Sequence, residues 1–149
     1  MQAIGARTDA LRGAWLCGAC PGVTTMSLHH KLCHILGGAF DLPHAATHTV
    51  LLPYVAAFNL PAAPAADGVL RRALATDEVP GHLARTATGL GAPRSLAELG
   101  LGERDIDEVT ALAREQPYAN PRPVTEEPLG ALLADALTGS LTLSKASQS

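Results

Sequence analysis

Apolar residues recur along most of this chain at three- and four-residue intervals, and no long run alternates apolar with polar. That pattern predicts an all-α fold. A first helix is expected behind Thr8 or Asp9 as cap, carrying Leu11, Ala14, Trp15 and Leu16 and stopped by Pro21 and Gly22. Gly13 and Gly18 weaken it but let a neighbouring helix come close. Residues 26–36 form the next helix, apolar on more than one face through Leu28, Leu32, Cys33, Ile35 and Leu36, and therefore central and buried. Gly37 and Gly38 are expected to end it, and Pro43 to open a third helix over 44–58, kinked or split at Pro53. Amphipathic segments follow at 65–75, about 80–88 and 103–115, with a capping box at Ser95 to Glu98 opening a short turn that closes at Gly100. Residues 117–123 read as stiff and extended. A last helix capped by Thr125 ends at Gly139. One all-α domain is expected over residues 1–143, with a disordered tail at 144–149.

The totals narrow the function. A chain of 149 residues can bury one core, but with 47% hydrophobic and only 3% aromatic residues that core is built from Ala, Leu and Val. The formal charge of -3 leaves no basic surplus to neutralise phosphates, which excludes nucleic acid as a partner. The most apolar stretch, 49–66, is broken by Pro53, Asn59, Pro61 and Pro64, so no membrane span is expected. The opening residues lack a secretory apolar core, and a cytoplasmic protein is the expectation. Cys17 and Cys20 have redox-motif spacing, but in a helical pattern without βαβ context they read as small packing residues.

The chemistry concentrates between residues 26 and 48. Five of the six histidines lie there, His29, His30, His34, His44 and His48, together with Lys31 and Cys33. His30 and His34 are four apart, as are His44 and His48, so each pair projects from one helix face. A bend between the two helices would bring His44 back toward His30, and converging neutral imidazoles can hold a divalent transition metal. The competing reading of each histidine is a hydrogen-bonded core residue. His82, outside the stretch, reads as a surface residue.

The segments GAWLCGAC, LHHKLCHILGGAFDLPHAATHTVLLP and PYANPRPVT resemble the C-terminal helical domain of maleylacetate reductases, within the iron-containing alcohol dehydrogenase superfamily. The likeness runs from about residue 7 to about residue 139. It implies an oxidoreductase that reduces maleylacetate, a small dicarboxylate, to 3-oxoadipate with NADH or NADPH in aromatic compound degradation. In such enzymes an N-terminal α/β domain binds the nicotinamide cofactor, and the helical domain faces it across the active-site cleft. The family's metal-ligating histidine pair, fourteen residues apart, matches His30 and His44, and the histidine near the reacting centre matches His34. The remaining two ligands, an aspartate and a histidine, match no residue of this chain. The implied metal is a divalent ion, iron or zinc, with an incomplete ligand set. His34 is the candidate proton donor or relay, and His29 and Lys31 are candidates for pairing with a substrate carboxylate. For Lys31 a solvated surface role stands beside that one.

The sequence departs from the family pattern at Pro21, at Thr24 and Thr25, and at Tyr54, where the family commonly has histidine. No nucleotide-binding glycine motif is legible, since Gly89 and Gly91 follow a helix rather than a strand. The isolated chain is therefore expected to be inactive, and either to be a truncated gene product or to work with a separately encoded N-terminal nucleotide-binding half. A homo-oligomer is compatible with the sequence. The alternative is a non-catalytic helical binding or assembly module, or a truncated gene remnant that keeps a histidine metal site.

Overall fold

The computed structural model describes residues 2–20 and 25–141. Among them there are seven α-helices and no strand. They are α1 (Gln2–Ala19), α2 (Leu28–Ala39), α3 (His44–Asn59), α4 (Pro64–Leu74), α5 (Val79–Gly89), α6 (Ile106–Arg114) and α7 (Glu126–Thr138). Short 3₁₀ turns at Leu60–Ala62, Ala97–Leu99 and Glu103–Asp105 join them. The expected all-α class is what the chain adopts. The stop at Pro21 and Gly22, the departures at Pro21 and Thr24, and the tail at 144–149 lie outside the described residues.

Helix α3 is the axis. It packs against α2, α5 and α7, while α6 bridges α2 and α7. The core is almost wholly aliphatic: Leu28, Leu32 and Leu36 from α2, Val50, Leu51 and Val55 from α3, Val109 from α6, and Leu129, Leu133 and Ala136 from α7. Tyr54 and Phe58 are its aromatic members. Tyr54, the departure noted above, is thus a core residue of α3.

Local chemistry explains most boundaries. Glu78 caps α5 by accepting the Gly81 N–H at 2.6 Å. Ser95 accepts the Glu98 N–H at 3.2 Å, while the Glu98 carboxylate reaches past Ser95 to the Arg94 N–H at 3.1 Å. Gly139, at φ 78°, closes α7 with the Ser140 N–H donating to the Asp135 carbonyl. The segment 117–123 is irregular and is pinned through Asn120, which exchanges hydrogen bonds with Asn59 and accepts from Ser27 just ahead of α2. Arg122 lies 4.3 Å above the Phe58 ring.

Five expectations need correction. Gly37 and Gly38 do not end α2, which runs on to Ala39; the reversal falls at Asp41, in the left-handed region at φ 54°. A carboxamide or carboxylate side chain tolerates that conformation better than most. Helix α3 is not split at Pro53, since the buried packing of Leu51, Pro53, Tyr54 and Val55 outweighs one missing hydrogen bond. Helix α1 begins at Gln2, not after Thr8, whose hydroxyl donates instead to the Ile4 carbonyl one turn back. Finally, Gly13 and Gly18 receive no neighbouring helix among the described residues: none of their atoms lies within 4 Å of a Cβ placed on either. Every residue from Ile4 to Cys20 is exposed, so Cys17 and Cys20 are not packing residues either.

Candidate metal and substrate site

The chain leaves α2 at Ala39, turns through residues 40–43 and re-enters a helix at His44. Pro43, extended at ψ 116°, is the cap residue, and its carbonyl accepts both the N–H and the hydroxyl of Thr47. The turn lays the first half of α3 on α2 and gathers five histidines on one face. His48 is the hub: its ring centroid lies 4.4 Å from that of His44, 4.9 Å from His29 and 5.2 Å from His30. His34 sits at the rim, 6.4 Å from His44 and 6.5 Å from His30. His30 and His44 thus share one cluster, joined through His48 and His34 rather than by direct ring contact among the described residues.

The cluster is graded in depth. His34 and His44 are exposed, His29, His30 and His48 are half-buried, and Cys33 beneath them is fully buried. Lys31 is half-buried on the same helix, with no ion pair among the described residues. His82 is half-buried on α5, outside the cluster.

Depth sets the electrostatics. Burial lowers the His48 pKa to about 4, helped by His29, His44, His30 and His34, because five imidazoles cannot share positive charge at this spacing. Burial also lowers that of His29, partly offset by its ring nitrogen Nε2 donating to the His48 carbonyl oxygen at 3.1 Å. The Cys33 thiol is pushed up to about 12 by burial alone. The His29 and His48 rings are neutral near pH 7, as metal-ligating imidazoles must be, whereas the Cys33 thiol keeps its proton there and must lose it to ligate. The donor set suits a transition ion, and one observation supports that fit: His48 Nε2 is buried without a hydrogen-bond partner among the described residues.

A profile of the Fe-containing alcohol dehydrogenase family, C-terminal, matches residues 2–137. The chain belongs to that family. It is 52% identical over 134 residues to a maleylacetate reductase of Pseudomonas aeruginosa, covering 90% of this chain and 38% of that enzyme. Its fold superposes on the crystal structure of maleylacetate reductase from Agrobacterium tumefaciens with a TM-score of 0.86 at 48% identity, over 92% of this chain and 39% of that one. Maleylacetate reductase from Rhizobium sp. gives 0.83 at 50% identity, over 91% and 39%. The chain therefore corresponds to the helical C-terminal part of these family members, a little over a third of their length.

Within this family member, four of the residues picked out by sequence, His29, His30, His34 and His44, come together in the α2–α3 cluster, and Lys31 lies on α2. Two participants were undervalued by sequence reasoning. Cys33 reads as one more apolar residue of α2, and His48 as the companion of His44 alone. The signal for both was present: Cys33 follows His29 by four residues, as His48 follows His44.

Proposed function

We propose that this chain is the helical half of a maleylacetate reductase-like oxidoreductase, and that the histidine face of α2 and α3 is one wall of its substrate site. The observation that carries the proposal is the joining of His30, His34 and His44 on one solvent-reaching face, in a chain half identical to maleylacetate reductases. The reaction is the transfer of hydride from NADH or NADPH to the carbon–carbon double bond of maleylacetate, at the carbon farther from the ketone. The electron pair of that double bond moves toward the ketone oxygen, and a proton then returns to the carbon beside the ketone, giving 3-oxoadipate.

Stabilising the charge that develops on the ketone oxygen is the main task of the wall. His30 and His44 are the residues that would hold a divalent iron or zinc ion, which supplies positive charge at that oxygen. His34, exposed at the rim, is the residue assigned here to hold and pass the proton. Lys31 supplies a cation for a substrate carboxylate. His29 suits that role less, since one nitrogen is engaged with the His48 carbonyl and burial disfavours its charged form.

Holding hydride donor and acceptor together contributes roughly 7–11 kcal/mol to such a reaction. Residues 1–149 carry no motif for the nicotinamide cofactor, so that positioning comes from an N-terminal nucleotide-binding half. The test is a chimera in which this chain replaces the matching helical region of the Pseudomonas aeruginosa enzyme. It is expected to oxidise NADH with maleylacetate and to lose that activity on His34→Ala. A folded chimera that binds NADH yet leaves maleylacetate untouched would refute the substrate reading. Turnover by the isolated chain would refute the reading as a half-enzyme. The exposed apolar residues of α1 favour a second reading, a helical assembly module without catalysis, which predicts the same inert chimera.

A further inference from the structure

We infer that His29, Cys33 and His48 form a binding site for one zinc ion, deeper than the His30 and His44 pair and built from different side chains. Their ligand atoms, one from each residue, all lie within 4.8 Å of one another. Two helices supply them: His29 and Cys33 stand one turn apart on α2, and His48 faces them from α3. In a tetrahedral zinc site with one sulfur and two nitrogens, ligand atoms sit about 3.4–3.6 Å apart, so closure on the ion is a matter of about one ångström.

Three further features point to an ion. Cys33 is 0% exposed, yet it lies against two imidazoles rather than only among leucines. His48 Nε2 is buried with no hydrogen-bond partner among the described residues, an unfavourable arrangement that a ligated ion removes. His29 Nε2–H donates to the His48 carbonyl, which leaves Nδ1 with its lone pair free. Donation of the second ring nitrogen to a carbonyl is the usual way a ligating histidine is oriented. A mixed imidazole and thiolate set favours zinc over harder ions. On binding, the Cys33 S–H bond breaks and its proton goes to solvent, the Sγ–Zn bond forms, and both imidazoles donate lone pairs. No group changes oxidation state. Water completes the fourth position.

This site does not rest on the reductase reading, because a chain that catalyses nothing would still hold the ion. The test uses the full 149-residue chain, stripped with chelator and titrated with Co²⁺ under reducing, anaerobic conditions. One tightly bound Co²⁺ per chain is expected, since the His30 and His44 pair lacks the rest of its ligand set here, with a near-ultraviolet thiolate-to-cobalt charge-transfer band that Zn²⁺ abolishes by displacement. Cys33→Ser should remove the band, and His48→Gln should weaken Zn²⁺ binding by at least about tenfold. The paired variants His30→Ala with His44→Ala, and Cys17→Ser with Cys20→Ser, should keep both band and affinity. Circular dichroism on each variant separates lost binding from lost folding. Cobalt binding without the band, a band that persists in Cys33→Ser or disappears with the α1 cysteines, or affinity that resides in His30 and His44 would each overturn the inference.

Discussion

His48 shows how much of a site can depend on one ring. It touches three other histidines, and burial holds it neutral, with a pKa near 4 against 6.5 for a free imidazole. Above pH 6.5 the ring is uncharged folded or unfolded, and titration costs nothing. Below that the unfolded chain takes up a proton that the folded one resists, so stability is lost as pH falls from about 6.5 toward about 4. His29 acts in the same direction. Urea midpoints measured in chelator at pH 7, 6 and 5 should fall steadily, and His48→Gln should flatten the slope. Backbone angles give a second contrast at this scale. Ala75 ends α4 in the left-handed region at φ 49°, where glycine rests without strain. Ala75→Gly should therefore stabilise by about 0.5–1 kcal/mol, while Gly139→Ala, at φ 78°, should cost about 1–2 kcal/mol in chemical denaturation. None of these positive angles except that of Gly139 was readable from residue type.

At the scale of the element, periodicity was a sound guide to where helices lie and a poor one to where they stop. Helices α5, α6 and α7 fall close to their predicted places because each carries its own punctuation: Glu78 and Pro80, Asp105, and Thr125 with Gly139. Helix α2 overruns its glycine pair because glycine permits a reversal without demanding one, and the stop is set instead by where Leu42 must be buried. The proline in α3 does not split the helix for the same reason. Packing across a buried face decides, and the face is sharply drawn: Leu51 is 0% exposed and its neighbour Leu52 is 41% exposed. Leu51→Ala should cost about 2–5 kcal/mol, whereas Leu52→Ala should cost well under half of that, as read from paired thermal or urea melts.

At the scale of the whole molecule, the bundle from α2 to α7 closes a core, and α1 stands outside it with Ile4, Leu11, Trp15 and Leu16 exposed. Sequence pattern cannot report this, since an apolar stripe looks the same whether or not anything covers it. The histidine cluster was legible as a set because it is dense in sequence. Its layering into a rim and a buried Cys33 was not, because depth arises only when α3 folds back on α2. One consequence concerns how the protein is watched. Trp15 is the sole tryptophan, and it is 70% exposed on α1. Its emission should stay at long wavelength and barely move while far-ultraviolet dichroism records the bundle melting. A shift coincident with that melt would mean α1 is clasped after all. Intrinsic fluorescence is thus an optical blind spot for the core, and for that reason a clean reporter of whatever comes to cover α1.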